Sequence, residues 1–197
     1  YKFLIFTCPV GKYYTDPVRL WVTREFVRAA SGGTGAAKTA GNYAASYYAT
    51  KIAQDKGYDN VLWLDGKEHR MLEECGTMNM FFVIDGVVVT PALTGTILQG
   101  VTRDSVITLL REMDIKVEER SISMEELKEA HADGKLEEAF GAGTAAAVSP
   151  VIEIADGMDV LQLPPNEERK IGPPVLQHLT AIRRGIAEDK YGWLEKI

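Results

Sequence analysis

The sequence has few of the residues from which metal sites and covalent cross-links are built. Its 197 residues include two cysteines and three histidines. Cys8 and Cys75 stand far apart and outside any C-x-x-C motif, so the sequence predicts neither a metal site nor a disulfide framework. Acidic residues outnumber basic ones by 28 to 22, which gives a net charge of -6. Without a basic face, the protein is not expected to bind nucleic acid or an anionic membrane surface.

Long hydrophobic runs are missing as well. No apolar stretch approaches the roughly 18 residues that cross a bilayer, and no basic segment leads into an apolar one as in a secretion signal. We therefore expect a cytoplasmic, reduced location. A common domain size is about 150 residues, so one domain with its own core is expected. The chain opens with Tyr1 and the run KFLIF (residues 2–6), which is typical of a buried strand, so we expect that residues are missing upstream.

Hydrophobic periodicity predicts helices and strands in mixture, and hence an α+β (mixed α/β) domain. Strands are predicted at residues 61–64 and 115–122, and a β-hairpin at 78–89 around the turn Asp85-Gly86. Helices are predicted at about residues 43–56, 103–113, 123–133 and 175–188. Ser123 and Glu126 form a capping-box pattern at the start of the third helix. Residues 163–174 are expected to form a long loop.

The most unusual segment is SGGTGAAKTAGNY (residues 31–43), in which four glycines surround a single charged residue. Glycines let the backbone approach a ligand closely, while Lys38 projects alone. The simplest interpretation is an exposed loop lysine. A phosphate-binding P-loop is an alternative, because residues 32–39 nearly match G-x-x-x-x-G-K-[ST]. However, Ala37 stands in place of the required glycine, and the residues before the loop are a weak strand candidate.

Three other segments are candidates for ligand contacts. Glu73 and Glu74 precede the hairpin, where one acid can point inward to a cationic partner such as a protonated ring nitrogen. Thr102 lies near the start of a predicted helix, whose N-terminal N–H groups favour phosphate, although Thr102 could simply cap the helix. Residues 141–146, GAGTAA, imitate a dinucleotide fingerprint. Because Pro150 follows too soon for a crossover helix, a turn with free N–H groups is predicted instead.

A lone lysine, an inward acid, a helix N-terminus and a turn with free amides are the parts of a pyridoxal phosphate site. Four motifs carry these parts: GGTGAAKTAGNY (residues 32–43), ECGTMNMF (74–81), GVTR (100–103) and GAGTA (141–145). In order and spacing they resemble the branched-chain amino-acid aminotransferases, of the class IV pyridoxal-phosphate fold. The similarity runs over essentially the whole chain, including the ending YGWL (191–194).

The resemblance implies a fold and a domain organisation. Residues 1–197 would form the C-terminal large domain of the class IV fold, a β-barrel-like sheet flanked by helices. The family's smaller N-terminal domain, which supplies an arginine for the phosphate and aromatic residues for the substrate pocket, is absent from this chain. Cofactor binding and catalysis by the chain alone are therefore expected to be weak. Some animal relatives place a C-x-x-C redox pair where this chain has Ala146 and Ser149, so no thiol switch is expected.

The resemblance also implies roles for single residues. Lys38 would form the Schiff base with pyridoxal 5'-phosphate and move the proton of the substrate's Cα. Burial would suit this role by favouring the neutral amine. Glu74, rather than its neighbour Glu73, would pair with the ring nitrogen, because it directly precedes the Cys-Gly-Thr-Met-Asn run. Tyr43 would bind the phenolic oxygen. Other cofactor contacts would come from Thr77, Val101, Thr102 and Thr144, and the substrate carboxylate would bind Thr144 and Ala145.

The implied reaction is reversible transfer of the amino group of leucine, isoleucine or valine to 2-oxoglutarate, giving glutamate, by a homodimer. Within the same fold, a D-amino-acid aminotransferase or an aminodeoxychorismate lyase would use the same lysine and glutamate. Outside it, the alternatives are a P-loop nucleotide hydrolase and a partner-binding domain without a cofactor.

Overall fold

The structure is a computed structural model that describes residues 2–9 and 16–195. The described residues form one mixed sheet with four α-helices. The strands are β1 (Val18–Val22), β2 (Asn60–Leu64), β3 (Leu72–Cys75), β4 (Met78–Ile84), β5 (Val87–Thr90), β6 (Val117–Glu119), β7 (Leu136–Gly143), β8 (Ala147–Asp156) and β9 (Asp159–Gln162). The helices are α1 (Ala40–Asp55), α2 (Val101–Glu112), α3 (Met124–Ala132) and α4 (Gly172–Arg183), with a 3-10 turn at Asn166–Glu168.

The sheet closes on itself. Its strand order is β3-β2-β1-β8-β7-β4-β5-β6, and β3 also pairs with β4. Six strands therefore form a closed ring, with β5 and β6 extending from β4 and with β9 paired to β8. Strand β1 runs parallel to β2 and β8, whereas β4 and β7 are antiparallel. The α+β class and the barrel-like sheet predicted from the sequence are confirmed.

Strand β4 shows how the sheet carries two cores. Met80 and Phe82 lie in a cluster to which all six ring strands contribute, together with α3. Phe81 and Val83 point the other way, into a cluster with α2 and α4. Strand β4 is almost continuously apolar because both of its faces are buried. Phe81 stacks on Phe140 of β7 at 5.1 Å between ring centroids.

Helix α1 covers the outer face of β2. Val61 and Trp63 pack against Ala49 and Ala53 of α1, while the alternate residues of β2 face the interior of the ring. This alternation follows from the two-residue period of a strand. Among the described residues, no helix is long and apolar enough to cross a bilayer.

The predicted hairpin and one predicted strand are confirmed, and another strand is shorter than predicted. The hairpin is confirmed, and its turn has positive φ at both Asp85 and Gly86, +49° and +73°, as a two-residue hairpin requires. The strand at residues 61–64 is confirmed as β2. Of residues 115–122 only Val117–Glu119 are a strand, because the partner β5 is short and pairs with these three positions alone.

The buried strand predicted at residues 2–6 is wrong. These residues are extended but belong to no strand, and Phe3 and Phe6 are each 87% exposed. An apolar run needs a neighbouring strand to complete its hydrogen bonds, and the described part of the chain places none beside it. Tyr1 lies outside the described residues.

The helix ends differ in detail from the prediction. Ser123 caps α3 by accepting a hydrogen bond from the Glu126 N–H at 3.0 Å. The Glu126 carboxylate binds Arg120 at 2.6 Å instead of returning to Ser123, so only half of the capping box forms. Helix α4 begins within the predicted loop, since the Glu138 carboxylate accepts hydrogen bonds from the N–H groups of residues 170–172 at its N-terminus.

Candidate active site

A β-bulge positions the two adjacent acids. Leu62 pairs with Cys75 and Leu64 pairs with Leu72, so β3 has one residue more than β2 over this interval. Leu72 and Cys75 both belong to the interior cluster. The extra residue keeps both of them inward and leaves Glu73 and Glu74 together between them, since a bulge redirects side chains.

Glu74 is buried and fully engaged. Its Oε2 lies 3.0 Å from Arg28 Nε, and its Oε1 accepts a hydrogen bond from the Leu98 N–H. Burial, the largest effect, raises the pKa of Glu74 to about 7, and the charge of Arg28 and the Leu98 N–H act in the opposite direction. The charge of Lys38 also lowers this pKa, as the smallest of the effects.

Glu73 has different surroundings. Its Oε1 accepts a hydrogen bond from the Thr96 hydroxyl, and its Oε2 is buried without a partner. Burial raises the pKa of this carboxyl too. A cavity of about 260 Å³ adjoins Glu73, and Asp65, Thr94 and Thr96 are among its other lining residues. Direct contact with Arg28 therefore distinguishes Glu74 from Glu73.

Asn79 joins the sheet to the segment that leads into α2. It pairs with Glu74 across β3 and β4, and with Ala142 across β4 and β7. Its Nδ2 donates a hydrogen bond to the Leu98 carbonyl at 2.9 Å. Because the Leu98 N–H binds Glu74, two side chains fix the residues just before α2 next to the acid.

The N-terminus of α2 has no side-chain cap. Gly100 is its N-cap residue, and Val101, the first helical residue, is 81% exposed. Thr102 is the second helical residue and does not cap the helix, so the capping interpretation of Thr102 is wrong. The first N–H groups of a helix without a cap are suited to an anion.

The glycine-rich segment is a loop followed directly by α1. Asn42, buried in the first turn of α1, donates hydrogen bonds to the carbonyls of Thr34 and Ala37 at 2.8 and 2.9 Å. Strand β1 ends at Val22, well before the loop. The P-loop interpretation is therefore wrong, since that motif must follow directly on a strand.

Lys38 lies beside Tyr43. Its Nζ donates a hydrogen bond to the Tyr43 hydroxyl at 3.1 Å and lies 4.9 Å from the centre of the Tyr43 ring. Lys38 is exposed and Tyr43 is half-buried. The burial that would suit a catalytic lysine is thus not found in this chain.

The turn predicted within residues 141–146 is confirmed. Strand β7 continues to Gly143, and Thr144 and Ala145 are exposed in the turn that leads into β8. A Cβ added to Gly143 would lie 2.9 Å from the Thr77 carbonyl oxygen, so this turn runs close beside the turn between β3 and β4. The Thr77 side chain is exposed there.

The structure thus places the predicted residues in three groups. Lys38 and Tyr43 are in contact, Glu74 is linked through Leu98 to the start of α2 at Val101 and Thr102, and Thr77 adjoins the turn of Thr144 and Ala145. Asn79, which pairs with both Glu74 and Ala142, lies between the second group and the third.

Three residues that shape the site were not assigned by sequence reasoning: Arg28, Asn42 and Asn79. The two asparagines stand inside the motifs, and an asparagine before or within a buried element is a signal that could have been used. Arg28 carries no such signal, because its segment has neither helix nor strand periodicity.

Comparison with known proteins agrees with this geometry. Residues 3–154 match the sequence profile of the family described as amino-transferase class IV. The chain is 48% identical over 200 residues to branched-chain-amino-acid aminotransferase 2 of Bacillus subtilis, and the match covers 100% of this chain and 55% of that protein. The chain thus spans about half the length of this curated relative.

Two solved structures are similar over most of the chain. A branched-chain aminotransferase from Thermoproteus uzoniensis, solved with norvaline, has a TM-score of 0.81 and 34% identity, covering 95% of this chain and 59% of that one. A branched-chain amino acid aminotransferase from Thermobaculum terrenum, solved in its PLP-form, has a TM-score of 0.72 and 26% identity, covering 87% and 52%. With its profile match and its closed mixed sheet, the chain belongs to the class IV aminotransferase family.

Proposed function

We propose that this chain is the cofactor-binding large domain of a branched-chain amino-acid aminotransferase. It would bind pyridoxal 5'-phosphate and transfer the amino group of leucine, isoleucine or valine to 2-oxoglutarate. One observation carries the proposal. The Arg28 guanidinium joins the Glu74 carboxylate to the Gly35 carbonyl of the loop that carries Lys38, and the Leu98 N–H fixes the uncapped end of α2 beside the same acid.

The donor groups fit the cofactor in chemistry. Pyridoxal phosphate has an aldehyde, a phenolic oxygen, a basic ring nitrogen and a phosphate. Lys38 Nζ and the Tyr43 hydroxyl, 3.1 Å apart, suit the aldehyde and the phenolic oxygen. The buried Glu74 carboxylate suits the nitrogen, and the N–H groups at Val101 and Thr102 suit the phosphate.

When bound, the pyridoxal ring supplies an electrophilic carbon and withdraws electrons from the substrate's Cα. The residues of this chain do the rest. Lys38 would take the proton from the substrate's Cα as general base. The Tyr43 hydroxyl, which accepts a hydrogen bond from Lys38 Nζ, holds the amine in place.

The other groups bind and orient. The Glu74 carboxylate would pair with the ring nitrogen and favour its protonated form, since a nearby negative charge stabilises a cation. The exposed turn at Thr144 and Ala145 offers N–H groups to the substrate carboxylate. Thr77, whose carbonyl lies close to Gly143, would support this turn from the side.

Further parts of the proposal concern the assembly. We propose a homodimer in the cytoplasm, with residues 1–197 as the large domain. The Bacillus subtilis relative is longer, since the match covers 55% of it, and full activity would depend on the additional part.

Covalent cofactor attachment tests the proposal directly. The purified chain is incubated with pyridoxal phosphate and reduced with borohydride, which makes a bond between Lys38 Nζ and the cofactor permanent. Peptide mass spectrometry should then find the added mass on Lys38. Lys38→Ala should lose the modification and the visible absorbance band of the bound cofactor.

Lys51→Ala is the matched control, since Lys51 is an exposed lysine of α1 with an ion pair to Asp55 and no contact with the site. It should bind the cofactor like the parent chain. Modification spread over several surface lysines, or retained in Lys38→Ala, would contradict the proposal. Glutamate formation from 2-oxoglutarate with L-leucine, compared with D-alanine, separates the branched-chain reaction from that of a D-amino-acid aminotransferase.

A further inference from the structure

Arg28 occupies a central position that the reaction described above does not assign to it. Its side chain is 2% exposed and lies in the irregular segment between β1 and the glycine-rich loop. Nε contacts Glu74 Oε2 at 3.0 Å. Nη1 donates to the Thr96 carbonyl at 2.7 Å, and Nη1 and Nη2 donate to the Gly35 carbonyl at 3.3 and 3.2 Å. One guanidinium thus joins three separate segments.

The geometry at Gly35 permits this convergence. A Cβ at this position would lie 2.5 Å from the Thr96 carbonyl oxygen, so only glycine lets the loop come close enough for Arg28 to bind both carbonyls. Lys38 stands three residues further along the same loop. The position of the lysine therefore depends on the contact between Arg28 and Gly35.

We infer that Arg28 is a positioning residue of the cofactor site, which orients the Glu74 carboxylate and favours its ionised form, and which ties the loop that carries Lys38 to this acid. The inference rests on the proposed function. Arg28 would have two separable roles. Its positive charge would favour the ionised form of Glu74, and its Nη1 and Nη2 donors would hold the glycine-rich loop in place.

The charge argument follows from the groups around Glu74. Burial and the neighbouring Glu73 favour the neutral carboxyl, whereas Arg28, Lys38 and the Leu98 N–H favour the carboxylate. Arg28 comes first among the opposing groups, and it alone is a buried cation in direct contact. The thiol of Cys75, whose pKa burial raises strongly, stays neutral beside the acid.

The consequence concerns the location of one proton. When a basic ring nitrogen faces Glu74, the proton between them can rest on either partner. Arg28 is in direct contact with the carboxylate, so it would lower the basicity of the carboxylate more than that of a nitrogen on the far side of Glu74. The proton is thereby directed to the nitrogen, which is the state in which the ring withdraws electrons.

The test begins with the chain free of cofactor. Glutamates are labelled with ¹³C at the side-chain carboxyl, the Glu74 signal is assigned by its loss in Glu74→Gln, and the signal is followed from pH 4 to pH 10. In Arg28→Gln the midpoint should rise by about one to three pH units, because an ion-pair partner in contact is lost. Arg28→Lys keeps the charge and should stay within about half a unit of the parent chain.

The second role has its own readout. Lysine has one compact donor group and cannot replace the fork that binds two carbonyls. Arg28→Lys should therefore weaken pyridoxal phosphate binding about tenfold, as one lost charge-assisted hydrogen bond would, while the titration of Glu74 is preserved. Unchanged cofactor affinity in Arg28→Lys would overturn the positioning of the loop.

An equal Glu74 midpoint in Arg28→Gln and the parent chain would overturn the action on the acid. If Arg28→Gln does not fold, the parent chain provides the test. The ¹H chemical shift of Arg28 Nε–H must change with pH at the same midpoint as the Glu74 signal, and a change at a different midpoint overturns the inference. The titration needs no cofactor. A chain that fails to bind pyridoxal phosphate refutes the proposed function alone, whereas a chain that binds it without the Arg28 effects refutes this inference alone.

Discussion

The two halves of the candidate site differ in how they are held. Glu74, Arg28 and Asn79 are buried, and hydrogen bonds or an ion pair join each of them to another segment. Lys38, Val101 and Thr144 are exposed, and the elements that carry them end or turn at the surface. The buried half is thus held by contacts within the chain, whereas the exposed half presents its groups at the surface.

The largest effect should come from breaking the buried half. Glu74→Ala leaves the guanidinium of Arg28 buried without its carboxylate, and such a loss costs about 3–5 kcal/mol of unfolding free energy. Thr144→Ala, in the exposed half, should change it by less than about 0.5 kcal/mol. Urea unfolding followed by circular dichroism measures both. Equal losses in the two variants would show that the halves do not differ.

The pH dependence of stability sharpens the comparison. The pKa of Glu74 is raised to about 7 in the folded chain, from an ordinary value near 4.5. Its contribution to stability is therefore fully present below pH 4.5 and is lost as pH rises through 7. Glu74→Gln lacks this titration. Between pH 4.5 and 7 the unfolding free energy of the variant should therefore increase relative to that of the parent chain by about 2–3 kcal/mol.

Asp65 is a control, because its pKa is lowered on folding whereas that of Glu74 is raised. Burial alone would raise its pKa, but four backbone N–H groups of residues 67–71 together lower it to about 2. Its contribution to stability is present above pH 3.8 and is lost as pH falls toward 2. Asp65→Asn should therefore reduce the pH dependence of the unfolding free energy only in acid. Chemical unfolding at a series of pH values tests both acids. A gain of Glu74→Gln that is the same at pH 5 and pH 8 would contradict the assignment.

A small gain in stability is expected where the exposed turn joins β8. Ala147 has a φ of +53°, a left-handed conformation that is costly for any residue with a Cβ. Ala147→Gly should therefore stabilise the chain by about 0.5–1 kcal/mol, since the relief of strain exceeds the entropic cost of glycine. Thermal unfolding is sufficient to detect it. A lower melting temperature would show that the turn is held by packing of the Ala147 methyl group.

The sequence predicted best what depends on local pattern. Strand β4 is a continuous apolar run and Asp85-Gly86 is a two-residue turn, so the hairpin could be read without any knowledge of its neighbours. The barrel-like closure came from resemblance, because pairing of β3 with both β2 and β4 is a long-range property. The same limit explains the error at residues 2–6, where a strand-like run has no partner strand among the described residues.

In the candidate site too, local motifs could be recognised from the sequence, whereas contacts between distant segments could not. Lys38 and Glu74 stand in motifs that attract notice, and in the structure Arg28 connects Glu74 to the loop that carries Lys38. The bulge in β3 depends on which residues of β2 face it, and Arg28 acquires its importance only when Gly35, Glu74 and Thr96 converge on it. Contacts between segments so far apart in sequence leave no trace in local periodicity.

The bulge in β3 has a consequence for how this segment can vary in length. With one residue removed between Leu72 and Cys75, the ladder with β2 would become regular, and strict alternation would leave a single position on the outward side. Only one carboxylate could then remain there. The count of residues in this short strand, and not only their identity, therefore decides whether the acid that meets Arg28 has a second acid as its neighbour.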